Sequence, residues 1–163
     1  MKLKNSINNY SKDDIFQSHL LEQYKLFVET AERVSERRKN TNVFFLSLMT
    51  LLFGAYGYLK INQIENNGFF AICLTICSIL ISIYWIFLLE NYRKLNSSKF
   101  LIIHKIEKDL PLNLFSYEWK ILGKGKDSTL YMKTSNLEKL TPYFFGLLFI
   151  VLLVFELIPL IVN

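Results

Sequence analysis

FFAICLTICSILISIYWIFLL, Phe69 to Leu89, is the stretch whose reading decides the fold: 21 consecutive residues without an acid or a base. A helix of that length rises about 30 Å, which is the thickness of a bilayer's hydrocarbon core. A second apolar stretch, VFFLSLMTLLFGAYGYL, precedes it at Val43–Leu59, and a third, of 20 residues, follows at Tyr143–Val162. The first is short at 17 residues, but it extends through Lys60 and Ile61 to Ile64 with the Lys60 ammonium snorkelling to the interface. A soluble protein can bury an all-apolar helix, but three of them in 163 residues leave too little chain to cover them. The expected fold is therefore all-α: a three-span helical membrane protein with helical cytoplasmic extensions.

Outside these stretches the chain is strongly charged, and the charge is lopsided. Eight Lys and Arg precede Val43, ten lie between Glu90 and Thr141, one (Lys60) lies between the first two stretches, and none follows the third. By the positive-inside rule the N-terminus and the middle segment are cytoplasmic, and the Lys60–Gly68 connection and the C-terminus lie outside. The resulting boundaries are a cytoplasmic N-terminal helix at 1–42, spans at 43–59, 69–89 and 142–162, an outer loop at 60–68, and a cytoplasmic helical segment at 90–141. Met1-Lys-Leu-Lys imitates the start of a signal peptide, but no apolar core follows it closely.

The basic excess suits orientation and attraction to anionic headgroups. Basic residues alternate with Asp and Glu rather than forming a run, so nucleic acid is not an expected partner. Arg37, Arg38, Lys124 and Lys126 are the expected headgroup contacts. Cys73 and Cys77 stand four apart inside the second span, share a helix face, and read as small packing residues rather than a disulfide or a metal site.

Local signals order the rest. Ser11 and Asp14 can open a helix, and Leu20, Tyr24, Phe27, Ala31 and Val34 recur at helical spacing. No Pro or Gly interrupts Asp13–Phe53, so one helix is expected to continue into the first span. Its stripe needs cover from this chain or from a neighbouring copy. Asn66-Asn67-Gly68 supplies a turn between the first two spans. Ser47, Thr50, Gly54 and Gly57 line one face of the first span, and Ala71, Thr75, Ser78 and Ser82 line one face of the second. Such small-residue faces let helices approach closely in lipid. Whether they meet each other or another subunit is open at this level. Glu90–Leu110 should continue the second span up to Pro111. A short helix at Asn113–Leu122 should carry Leu112, Phe115, Trp119 and Leu122 on one side and stop at Gly123. Ser135 with Glu138 reads as a capping box, and Thr141-Pro142 reads as the start of the third span.

Chemistry is sparse. Gly123-Lys-Gly-Lys-Asp-Ser-Thr129 lacks the glycine spacing and the preceding strand of a phosphate loop. His104 and His19 read as surface or interface residues. No cluster has metal-ligand spacing and no Ser or Cys sits in a nucleophile context, so no cofactor, metal or catalytic residue is expected, and the protein is expected not to be an enzyme. Glu156 is the one charge within a span; an acid there needs a partner, water or an interface. It is a candidate pore or intramembrane site if copies bring such carboxylates together in a ring; otherwise it reaches the outer interface near Pro159.

Several of these residues form a set with a known look. Tyr24-Lys-Leu-Phe-Val-Glu-Thr-Ala-Glu-Arg-Val-Ser-Glu-Arg-Arg38 followed by Asn42-Val-Phe-Phe-Leu-Ser-Leu48 resembles the RipA family of octameric bacterial inner-membrane proteins. So do Tyr92–Phe100, His104, Glu107, Lys108, Leu110-Pro111, Trp119, Leu122–Asp127 and Thr141-Pro142. The resemblance implies a small three-span protein of the bacterial inner (cytoplasmic) membrane that assembles as a homo-octameric ring. The organisation also resembles small multi-span effectors of bacterial nucleotide-sensing defence systems.

The reading that follows is a non-enzymatic membrane protein that self-assembles, with a cytoplasmic helical collar. Leu20, Tyr24, Phe27 and Val34 in the collar and Ser47 and Gly54 in the first span are the expected oligomer interface. The expected partners are further copies of the chain, membrane lipids and an unidentified cytoplasmic protein. The alternatives are a channel-like effector gated by a cytoplasmic signal, or a scaffold subunit of another membrane complex.

Overall fold

The computed structural model describes residues 13–62, 67–125 and 134–162. Among them every regular element is helical: α1 (Asp13–Ile61), α2 (Asn67–Ile106), α3 (Leu114–Ile121) and α4 (Thr134–Val162), with single 3-10 turns at Glu107–Asp109 and Gly123–Gly125. Three of the helices, α1, α2 and α4, are long and apolar enough to cross a membrane. Ser11, Asn66 and Lys126–Thr129, and with them the expected first cap, outer turn and basic loop, lie outside the described residues, as do the side chains of Asp14 and Ser135.

The helices end where the chain chemistry requires. Proline disfavours a helical conformation in the residue before it, and Leu110, which precedes Pro111, is extended at φ −101°, ψ 157°. α2 accordingly tightens at Glu107 and stops. After α3 the backbone turns left-handed at Gly123, φ 63°, where the lack of a Cβ removes the steric penalty. One boundary departs from expectation. Thr141 and Pro142 do not begin a helix; α4 starts at Thr134, so Pro142 sits inside it, fully buried. A proline there removes one backbone hydrogen bond. The turn before it is instead held from outside, because Glu138 pairs with Arg38 and Lys139 pairs with Glu90.

The chain divides into two compact units, and α1 and α2 contribute to both. One unit combines Met1–Ser35 with Leu95–Tyr131. In it the first part of α1 runs antiparallel to the last part of α2: Thr30 Oγ1 accepts from Lys99 Nζ at 2.9 Å, and Tyr24 donates to Glu107 at 3.3 Å. Ala31, Val34 and Ile103 are buried, the Lys99 ammonium lies 4.7 Å from the centre of the Phe27 ring, and Phe100 meets Phe115 edge-on at 5.9 Å. The stripe of α1 thus finds cover within the same chain.

The other unit combines Glu36–Lys94 with Met132–Asn163 and is a three-helix apolar bundle. Phe45, Met49, Trp85, Leu89 and Phe149 form its buried core; Phe45 stacks on Trp85 at 5.5 Å, and Trp85 Nε1 donates to Asn42 Oδ1 at 2.9 Å. Its ion pairs fix the helix directions. Arg38–Glu138 joins α1 to α4 at one end and Lys60–Glu156 joins the same two helices at the other, so these run parallel. Glu90 of α2 meets Lys139, and Tyr92 lies 3.4 Å from Thr41, at the Arg38 end, so α2 runs against both.

Candidate functional site

Lipid cannot hydrate a charge, so an acid inside an apolar bundle must be neutralised or solvated by the protein. Glu156 is held by two side chains of α1 one turn apart. The Tyr56 hydroxyl donates to Oε1 at 2.6 Å, and the Lys60 ammonium donates to Oε2 at 2.7 Å. The Glu156 side chain is 7% exposed and that of Lys60 is 41% exposed, so the acid lies inside the bundle while the base reaches its edge. Both carboxylate oxygens are engaged within one chain. Lys60 as a partner could have been found from sequence: it is the one basic residue between the first two apolar stretches, and Glu156 is the one acid within a stretch.

A second buried carboxylate lies in the other unit. Glu107 has no exposed surface. Its Oε1 accepts from the Phe115 backbone N–H at 2.7 Å and from the Tyr24 hydroxyl at 3.3 Å; its Oε2 accepts from the Ser116 N–H at 3.0 Å and the Ser116 hydroxyl at 2.7 Å, with His104 Nδ1 at 3.5 Å. The first turn of α3 leaves backbone donors without partners in its own helix. Asn113 precedes that turn but makes no side-chain cap, and Glu107 takes over the capping role from seven residues before the helix begins. Burial pushes the Glu107 carboxyl up, but the Ser116 hydroxyl, the two backbone N–H groups and His104 together outweigh it, so the group lies below the ordinary carboxylate range. Tyr24, half-buried beside that negative charge, is pushed up to about 12, by burial first and then by Glu107. Nothing in the periodicity of the sequence marked Glu107, because the acid acts across a turn rather than along a helix face.

The two small-residue faces of the membrane unit differ. On α2, Ala71, Thr75, Ser78 and Ser82 are all buried; Ser82 lies 3.8 Å from Met49 Sδ, and a Cβ built on Gly146 of α4 would sit 3.6 Å from Ser82 Cβ. On α1, Leu46, Ser47, Thr50, Leu51, Gly54, Ala55 and Tyr58 line an open groove of about 800 Å³, and a Cβ added at Gly54 or Gly57 would meet nothing within 4 Å. Ser47 and Thr50 return their hydroxyls to the carbonyls of Val43 and Leu46, so the Tyr58 phenol is the hydroxyl at one end of an otherwise apolar groove.

A family model, the octameric membrane protein family (8xMP), matches residues 21–158. This chain belongs to that family. The match carries the octameric membrane character of the resemblance and not the RipA name. No curated protein and no solved structure matches the chain.

The remaining expected site residues are distributed as follows. Tyr24 and Phe27 meet Glu107 and Lys99 of their own chain, Val34 is buried, and Leu20 is half-buried on the same helix. Ser47 and Gly54 lie on the open groove. Arg37 is exposed, whereas Arg38 is half-buried on Glu138 at 3.2 Å. Lys124 is exposed in the turn after α3, with a left-handed φ of 56°, and Lys126 lies outside the described residues. Cys73 and Cys77 are exposed free thiols, because they fall on the side of α2 opposite the buried Ala71–Ser82 face. Among the described residues no group of His, Cys, Asp and Glu is arranged to hold a metal ion.

Proposed function

We propose that this protein is a non-enzymatic component of a bacterial inner membrane that assembles from copies of itself into a ring, with the cytoplasmic part of α1 and the Glu90–Leu122 helices forming a cytoplasmic collar. Membership of the octameric family is the observation that carries self-assembly. The positive-inside rule supports the orientation, since eighteen of nineteen Lys and Arg then lie in the cytoplasm and both ends of the spans are placed consistently. The collar is supported by apolar surface that one chain leaves uncovered where water is expected. Leu112, Leu114, Tyr117 and Ile121 around α3 are all more than 60% exposed, and Leu26 and Leu101 add to them. Contiguous exposed apolar side chains on a water-facing segment mark contact surfaces. Leu20, Tyr24, Phe27 and Val34 then frame the collar from inside each chain, and the α3 face carries the contact between chains. Arg37 and Lys124, both exposed, are placed to meet anionic headgroups.

Mass measurement of the detergent-solubilised protein tests the assembly. Eight copies of the 19.2 kDa chain are expected, and a monomer at every concentration would overturn the reading. Tyr117→Glu with Ile121→Glu tests the collar. Assembly should weaken by at least tenfold in concentration, and an unchanged mass profile would remove the collar while leaving the membrane contacts in place.

A further inference from the structure

We infer that the open groove on α1, from Leu46 to Tyr58, is the membrane-level contact between copies, and that it receives a ridge of bulky side chains from a different face of the neighbouring copy. The inference rests on the self-assembly reading and on the interface expected at Ser47 and Gly54, and adds to them what that face receives and with what polarity. Three observations converge. First, glycine is less favourable than alanine inside a helix, and lipid tails gain nothing from its small size. Gly54 and Gly57 have open space around them in the single chain, so no contact within that chain makes use of their size. Second, this chain uses its other small-residue face in the expected way: the α2 face is buried against its neighbours, with Gly146 brought close to Ser82. Third, the chain belongs to a family of octameric membrane proteins, so a second copy is the natural occupant of a largely apolar groove whose Ser47 and Thr50 hydroxyls are turned back onto their own helix.

The polarity follows from closure. A ring built by rotation is heterologous: a given patch meets a different patch on the next copy, never itself. The complement to a groove of small residues is a row of large ones. Two such rows are exposed in the membrane unit, Ile76, Leu80, Ile83 and Phe87 on α2, and Phe144, Leu147, Val151 and Phe155 on α4. Each recurs at helical spacing and each lies away from the buried core.

The same geometry makes the test clean. Because Gly54 and Gly57 face open space, Gly54→Leu with Gly57→Leu should leave the single chain folded and its helix content unchanged, while filling the groove. The expected result is a mass profile shifted from the octamer to smaller species at the same protein concentration, with the unfolding midpoint of the detergent-solubilised chain equal or higher. An octamer that survives both substitutions overturns the inference and leaves self-assembly standing. A wild-type chain that is already monomeric overturns the self-assembly reading itself. Oxidative cross-linking in native membranes reads the polarity, in the full chain with Cys73→Ala and Cys77→Ala. Thr50→Cys paired with Leu80→Cys or with Val151→Cys should give ladders of covalent oligomers, and whichever pair reacts names the ridge. Covalent dimer from Thr50→Cys alone, with no ladder from either pair, would mean the groove meets itself, and the heterologous contact would be discarded.

Discussion

Glu107 and Glu156 are both buried carboxylates tied to a tyrosine of α1, yet their surroundings are built differently. Glu107 is held by two backbone N–H groups and two hydroxyls, with the His104 ring nearby. Glu156 is held by one hydroxyl and a full positive charge, Lys60. The difference follows from what lies around each. In the Glu107 unit, a cluster of well-aimed dipoles and a helix start can satisfy a carboxylate. Within the helices of the apolar bundle the backbone N–H groups beyond the first turns are committed to the helix, so side chains neutralise the acid. The comparison teaches that the chain uses an acid as a helix cap in one unit and as a cross-brace between α1 and α4 in the other.

The largest way to break this comparison is Glu107→Ala. It leaves two N–H groups and two hydroxyls without their acceptor, and should cost about 3 kcal/mol in the unit that holds α3, since each stranded buried group costs about 1–3 kcal/mol and water entry recovers part. Amide hydrogen exchange at Phe115 and Ser116 should rise by more than tenfold; unchanged exchange would show that Glu107 is not the cap. Lys60→Met comes next. It strands Glu156, and because Lys60 itself is 41% exposed the loss should be about 2 kcal/mol, below the range for a fully buried pair. Thermal unfolding in detergent reads it, and the swap Lys60→Glu with Glu156→Lys should recover most of the loss. Failure of the swap to recover more than the single change would rule out the cross-brace.

Acid sharpens the difference further. The folded Glu107 carboxyl lies below its ordinary value of 4.5, so its contribution is present above that pH and is lost as pH falls through the folded value. Trp119 reports the Glu107 unit once Trp85→Phe has silenced the bundle. Its acid transition should flatten in Glu107→Gln, and an identical transition would place the acid sensitivity elsewhere. The smallest expected effects are those of the two tyrosines. Tyr56→Phe removes a 2.6 Å bond and Tyr24→Phe a 3.3 Å bond, so the first should cost about 1 kcal/mol and the second less. The reverse order would mean that distance does not rank these bonds.

Much of this architecture was legible in residue order. The absence of breakers from Asp13 to Phe53 gave one helix, which runs on to Ile61; Pro111 ended α2, and Gly123 ended α3. Thr141-Pro142 misled, because a proline inside a helix cannot be told from one at its start when the neighbouring turn is held by ion pairs from other helices. Cys73 and Cys77 shared a face as their spacing requires, but which face of an all-apolar helix points inward is not encoded by hydropathy. The capping role of Glu107 could not be read because its partners lie on three different elements.

By itself the sequence determined that the chain is helical, that it crosses a membrane and where the apolar rods lie, since these follow from local composition and from the need to satisfy every backbone group in lipid. Only the tertiary structure decided which of two equivalent small-residue faces is filled, which acid braces α1 to α4 and which caps α3. Those outcomes depend on which side chains meet across helices, and a repeating apolar pattern leaves that choice to packing and to a few paired charges.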